Sequence, residues 1–200
     1  MDLPNDMELA KPKKQRRRTD ARSRRTHDRL GGALVSLILE KPIDEITVQE
    51  VLDRASVGRS TFYLHFRDKN DLLFTQLEKF LETMSTALSV RKEASHRVVP
   101  VAEMFEHAGG QNKIYRALAD ADRLPDFFDL AQGYFSRGIE QRLKELKPHP
   151  RLPGPELAAR ASALAGSLLA LFRWWLSRGC KETPRHMDEL FHRIVWNGVK

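Results

Sequence analysis

Residues 47–66, TVQEVLDRASVGRSTFYLHF, decide the fold. Thr47 stands where a helix N-cap belongs, Glu50 three residues later can reach back to the Thr47 N–H, and Ile46 can staple onto Val51. Val48, Val51, Leu52 and Ala55 recur at helical spacing and predict one apolar face. The break at Ser56-Val57-Gly58 ends that helix and begins another, in which Phe62 and Phe66 stand four apart and point to a common core. Arg59, Ser60, Thr61, Tyr63, Leu64 and His65 are left on the flanks and far side. Two short helices joined by a tight turn, the second presenting short polar and cationic donors, suit a DNA groove and its phosphates.

Composition agrees with that reading. Two hundred residues, 41% of them hydrophobic, with eleven Gly and ten Pro, give enough chain for a buried core in a mainly helical protein. The net charge is +7, but its distribution matters more: residues 11–25 carry nine Lys or Arg against one Asp, so the basicity belongs to one arm directly ahead of the helix pair. The partner implied is a polyanion. Cys180 is the single cysteine, which excludes an intramolecular disulfide, and with seven scattered His it leaves no zinc-ligand spacing. No cofactor or metal is expected. The run from Leu168 to Leu176 is too short to span a bilayer, which with the lone cysteine predicts a cytoplasmic protein and no membrane partner. A phosphate-binding Gly loop, a His-Glu-x-x-His pair and a nucleophile elbow are all missing, so catalysis is not expected.

The ordered string Thr47-Val48, Ala55, Val57, Arg59-Ser60-Thr61-Phe62-Tyr63, His65-Phe66, Asp68-Lys69 and Asp71-Leu72-Leu73 resembles the TetR family of bacterial transcriptional regulators. The resemblance covers residues 22–82 and is diffuse beyond. Two positions depart from it: Ser56 stands in the turn where Gly is usual, and Gly58 stands where the reading helix usually has a Ser or Asn cap. The resemblance implies an all-α protein with an N-terminal three-helix helix-turn-helix head and a C-terminal helical body for ligand binding and dimerisation. The expected divisions are a disordered basic arm over 1–21, a DNA-binding domain over 22–82 and a regulatory and dimerisation domain over 83–200. It assigns Thr47 and Lys69 to phosphates at helix N-termini, with Tyr63 and His65 also near phosphates. Gln49, Arg59 and Ser60 go to base edges, and Thr61 and Leu64 to methyl or sugar contacts. Arg59 reading guanine through O6 and N7, or a phosphate, are both open.

Along the chain, a first helix is expected from about Ala21 to Lys41, striped by Leu30, Leu34, Leu37 and Ile38 and stopped by Pro42. Asp68 should cap a fourth helix that buries Leu72, Leu73, Leu77, Phe80, Leu81 and Met84. Further helices are expected over 101–108, 111–121, 125–146, 155–179 and 184–197, with a proline-rich loop over 147–155. The last two carry wide apolar stripes, Leu157, Ala161, Leu164, Leu168, Phe172 and Trp175 on one and Met187, Leu190, Phe191, Ile194 and Val195 on the other. With the family resemblance these predict a homodimer through residues 155–197, which would place two reading helices on a palindromic double-stranded DNA operator. Phe105, His107, Tyr115, Phe128, Tyr134 and Trp174 could line a cavity for an unidentified effector, or could be core. The expected function is a dimeric repressor of a local operator released by that effector. The alternatives are an activator or adaptor whose body binds a protein, and a nucleoid-associated protein.

Overall fold

A computed structural model describes residues 13–146 and 153–197, the side chains of 13–20 excepted. The described residues form nine α-helices and one 3-10 turn, with no strand: α1 Lys13–Ile38, the turn Ile43–Glu45, α2 Val48–Ala55, α3 Arg59–His65, α4 Lys69–Val90, α5 Val101–Gly110, α6 Asn112–Asp120, α7 Leu124–Leu146, α8 Gly154–Ser177 and α9 Pro184–Asn197. None is long and apolar enough to cross a membrane.

Two expectations about boundaries need correcting. α1 begins at Lys13, eight residues ahead of Ala21, so the second half of the supposed disordered arm is helical. The run is rich in Lys, Arg and Gln, which are good helix formers, and contains no proline. Residues 1–12 lie outside the described residues. α8 begins at Gly154, with Pro155 in its first turn, where a missing N–H and a fixed φ cost nothing.

The described residues form two hydrophobic cores. Leu30, Leu34, Leu37 and Ile38 of α1 meet Val51 and Leu52 of α2, Phe62 of α3, Phe66 and Leu72 in the head. Leu118, from α6 of the body, is fully buried in this same head core. The body core is knotted by aromatics, Phe105 against Phe172 and Trp175 with ring centroids 5.2 and 4.9 Å apart. α4 leaves the head and packs on α7 so closely that a Cβ on Gly138 would overlap the Ser85 carbonyl oxygen. The connection after α4 is tied down by buried Arg142, whose guanidinium donates to the carbonyls of Glu93, Ser95 and Arg97 at 2.6, 2.9 and 3.1 Å.

The stripes read as a dimer face are largely interior. Leu157, Ala161, Leu168, Phe172 and Trp175 of α8, and Met187, Phe191 and Val195 of α9, are buried within the subunit. Their periodicity is that of an intrachain core, because α8 packs along α7 and α9 along α5. What α8 leaves outside is a line of Ala159, Ala163, Ala170 and Trp174, all exposed.

Candidate nucleic-acid interface and effector cleft

Local signals build the reading unit. The capping box at α2 is complete: the Thr47 hydroxyl accepts from the Glu50 N–H at 3.2 Å and the Glu50 carboxylate accepts from the Thr47 N–H at 2.9 Å. Lys41 adds a 2.6 Å ion pair to Glu50, and these hydrogen bonds, that from Lys41 foremost, pull the carboxyl down to about 2. α2 ends at Ser56, which takes the left-handed conformation with φ 49° and ψ 51°. Arg29 of α1 donates to its carbonyl at 2.8 Å. Gly58 then caps α3 with extended backbone and no side-chain hydrogen bond.

α3 buries Phe62 and presents Arg59, Ser60, Tyr63 and Leu64 to solvent, with Thr61 half-buried. Positions 59, 60, 63 and 64 form one continuous helical face. Leu64 is 79% exposed, an apolar side chain with no place in its own core. The Arg59 guanidinium lies 5.5 Å from the Tyr63 ring centroid, so its fork is held over the same face. Gln49 is exposed one helix away and donates to Asp53 at 2.8 Å.

Two expected contacts are placed differently. His65 turns from that face to α1 and packs edge-on against His27, centroids 4.9 Å apart. Burial, then the neighbouring His65 and Lys79, pull His27 below the ordinary imidazole range. Lys69 donates to the carbonyls of Ile43, Asp44 and Ile46 at 2.8, 2.9 and 2.8 Å. An ammonium has three N–H donors and all are engaged, so Lys69 holds the segment that leads into Thr47. A phosphate contact would require it to release a carbonyl. The Thr47 hydroxyl is likewise committed, donating to Glu50 at 2.8 Å.

A cleft of about 400 Å³ opens in the body between α6, the start of α7 and the end of α8. Tyr115 and Arg116 come from α6, Leu124 and Phe128 from α7, and Arg173 and Leu176 from α8. Of the six aromatic or His candidates for a cavity, it therefore gathers Tyr115 and Phe128. Phe105 is core, His107 stacks on Phe80 at 4.6 Å, Tyr134 lies under Arg137 and Trp174 is exposed beside Arg178. The arginines escaped the sequence reading because they occupy polar flanks of separate helices and follow no spacing rule. Cys180, which also lines the cleft, has its thiol pushed up by burial, and this outweighs the lowering by Arg116. Among the described residues no group of His, Cys, Asp and Glu could hold a metal.

Residues 32–75 match the model of the bacterial regulatory proteins of the tetR family. The chain belongs to the TetR family of transcriptional regulators. A relative of this TetR-family regulator in Bacillus subtilis (strain 168), the uncharacterised HTH-type transcriptional regulator YdeS, is 26% identical over 141 residues, 66% of this chain and 67% of that one. In structure the regulator is similar to the dihydroxyacetone kinase operon activator DhaS, with TM-score 0.61 and 16% identity over 85% of this chain and 92% of that one. It is also similar to a TetR transcriptional regulator from Streptococcus agalactiae 2603V, with TM-score 0.59 and 23% identity over 88% and 97%. At these identities the likeness carries the fold and says nothing of ligands.

Proposed function

We propose that this regulator is a cytoplasmic homodimer that represses a local promoter by seating its two α3 helices in a palindromic operator, and that a small effector bound in the body cleft releases it. The exposed α3 face carries this reading: Arg59, Ser60, Tyr63 and Leu64 leave Leu64 almost bare, as a contact for a thymine methyl or a sugar requires. One such face contacts a few base pairs, and a second copy supplies the remaining specificity. The outward line of Ala159, Ala163, Ala170 and Trp174 supports a partner helix at close approach. α6 supports the coupling, since Tyr115 and Arg116 line the cleft while Leu118 is buried in the head core.

Selection from a randomised DNA pool, with sedimentation of the free protein, tests the reading. A palindrome with half-sites about one helical turn apart and a dimer at micromolar concentration are expected. Single half-sites bound by a monomer would overturn it. Arg59→Ala should lose roughly 1–3 kcal/mol of discrimination at one base pair, whereas Tyr63→Phe should weaken all sites evenly. Uniform weakening by Arg59→Ala would assign Arg59 to a phosphate.

A further inference from the structure

The body cleft joins two arginines, an idle phenol and apolar walls. Among the described residues neither Arg116 nor Arg173 is in an ion pair with a carboxylate. Arg173 instead holds its guanidinium 4.0 Å from the Phe128 ring centroid, which fixes its direction without neutralising it. Tyr115 is only 7% exposed, and burial alone pushes its phenol up, with no hydrogen bond to its hydroxyl among the described residues. Its hydroxyl is not sealed from solvent, so an acceptor that enters the cleft can take its donor. Leu124, Phe128 and Leu176 give the remaining surface an apolar character.

From this juxtaposition we infer that the cleft binds an organic anion, a carboxylate carried on an apolar body, with Arg116 and Arg173 meeting the carboxylate, Tyr115 donating its hydroxyl and Leu124, Phe128 and Leu176 enclosing the apolar part. A cation is repelled by the two guanidiniums, a small inorganic anion leaves the apolar walls in contact with water, and a neutral apolar molecule leaves both charges unanswered. The inference rests on the reading of the cleft as the effector site, and adds the chemistry of the effector.

Calorimetric titration of the full chain, free of DNA, tests it with decanoate and naphthalene-2-carboxylate as alternative apolar bodies, and with 1-decanol, decyltrimethylammonium and acetate as controls. One or both carboxylates should bind at least roughly tenfold more tightly than the alcohol, the worth of a single charge-assisted hydrogen bond. Arg173→Gln and Arg116→Gln alter exposed positions and should each weaken that binding by roughly tenfold while leaving the melting temperature in place. Ala119→Phe, which fills the cleft from α6, should abolish it. Equal affinity for the alcohol, preference for the cation, or arginine variants that bind as wild type would overturn the inference. Operator binding is measured separately. A carboxylate that binds in the cleft without releasing operator DNA would uphold the site and refute the effector reading, whereas operator binding with no response to any probe would refute the site and leave the DNA reading intact.

Discussion

In the head, the core from Leu30 to Leu73 is built, Leu118 apart, from helices that follow one another in sequence, each opened or closed by a signal a few residues away. In the body, Phe105 meets Phe172 and Trp175, and Tyr115 meets Phe172 at 5.4 Å, across stretches of chain that carry no mark of their pairing. The head is specified by local chemistry and the body by long-range packing. That difference separates what a sequence discloses from what only folding brings together.

The sharpest way to break the comparison is to unfold one region alone. Phe62→Ala removes a fully buried ring from the head and should cost about 3–5 kcal/mol. All three tryptophans, Trp174, Trp175 and Trp196, lie in the body, so their fluorescence should melt as in wild type while circular dichroism shows an earlier helical loss. Coincident transitions would merge the two regions into one cooperative unit. In the opposite direction, Gly138→Ala places a methyl against the Ser85 carbonyl, forces α4 and α7 apart and should lower the fluorescence-detected transition by about 1–3 kcal/mol. An unchanged transition would mean that the helices yield freely.

Lys69→Ala sharpens the comparison inside the head. If Lys69 is the tie between α4 and the approach to α2, its removal frees three carbonyls and should destabilise the head by about 1–3 kcal/mol without any DNA present. Wild-type stability with weakened operator binding would return Lys69 to the phosphates. The smallest effect is expected at the turn. Ser56 holds φ 49°, a conformation that favours glycine, so Ser56→Gly should stabilise the head by about 0.5–1 kcal/mol in chemical denaturation. A loss of stability there would show that the Ser56 side chain contributes something its geometry does not reveal.

Particular residues show how far the sequence could be read. Thr47, Glu50 and Asp68 announce two helix starts through bonds to atoms three residues away, and the structure has all three bonds. The α3 face was legible for the same reason, because the spacing of Phe62 and Phe66 fixes what must point outward. The tie that Lys69 makes was not legible, because its three acceptors lie more than twenty residues upstream. The stripes holding Trp175 and Phe191 were misread because periodicity gives the angle of an apolar face and not its partner, and here the partner lies in the same subunit. The extension of α1 to Lys13 was hidden by its charge, which suggests a solvated tail even where helix propensity is high.

Leu118 changes what counts as a seam in this molecule. The family match ends at residue 75 and α4 passes from one core to the other near Leu77, so a cut through α4 looks like the natural place to exchange one head for another. Yet Leu118 returns from α6 to fill the head core, and an excised head would carry a hole shaped for a leucine it had lost. A chimaera joined through α4 therefore inherits two junctions, one covalent and one packed. The donor head must accept the recipient's residue at position 118, or the graft will be loose where the two halves pack together.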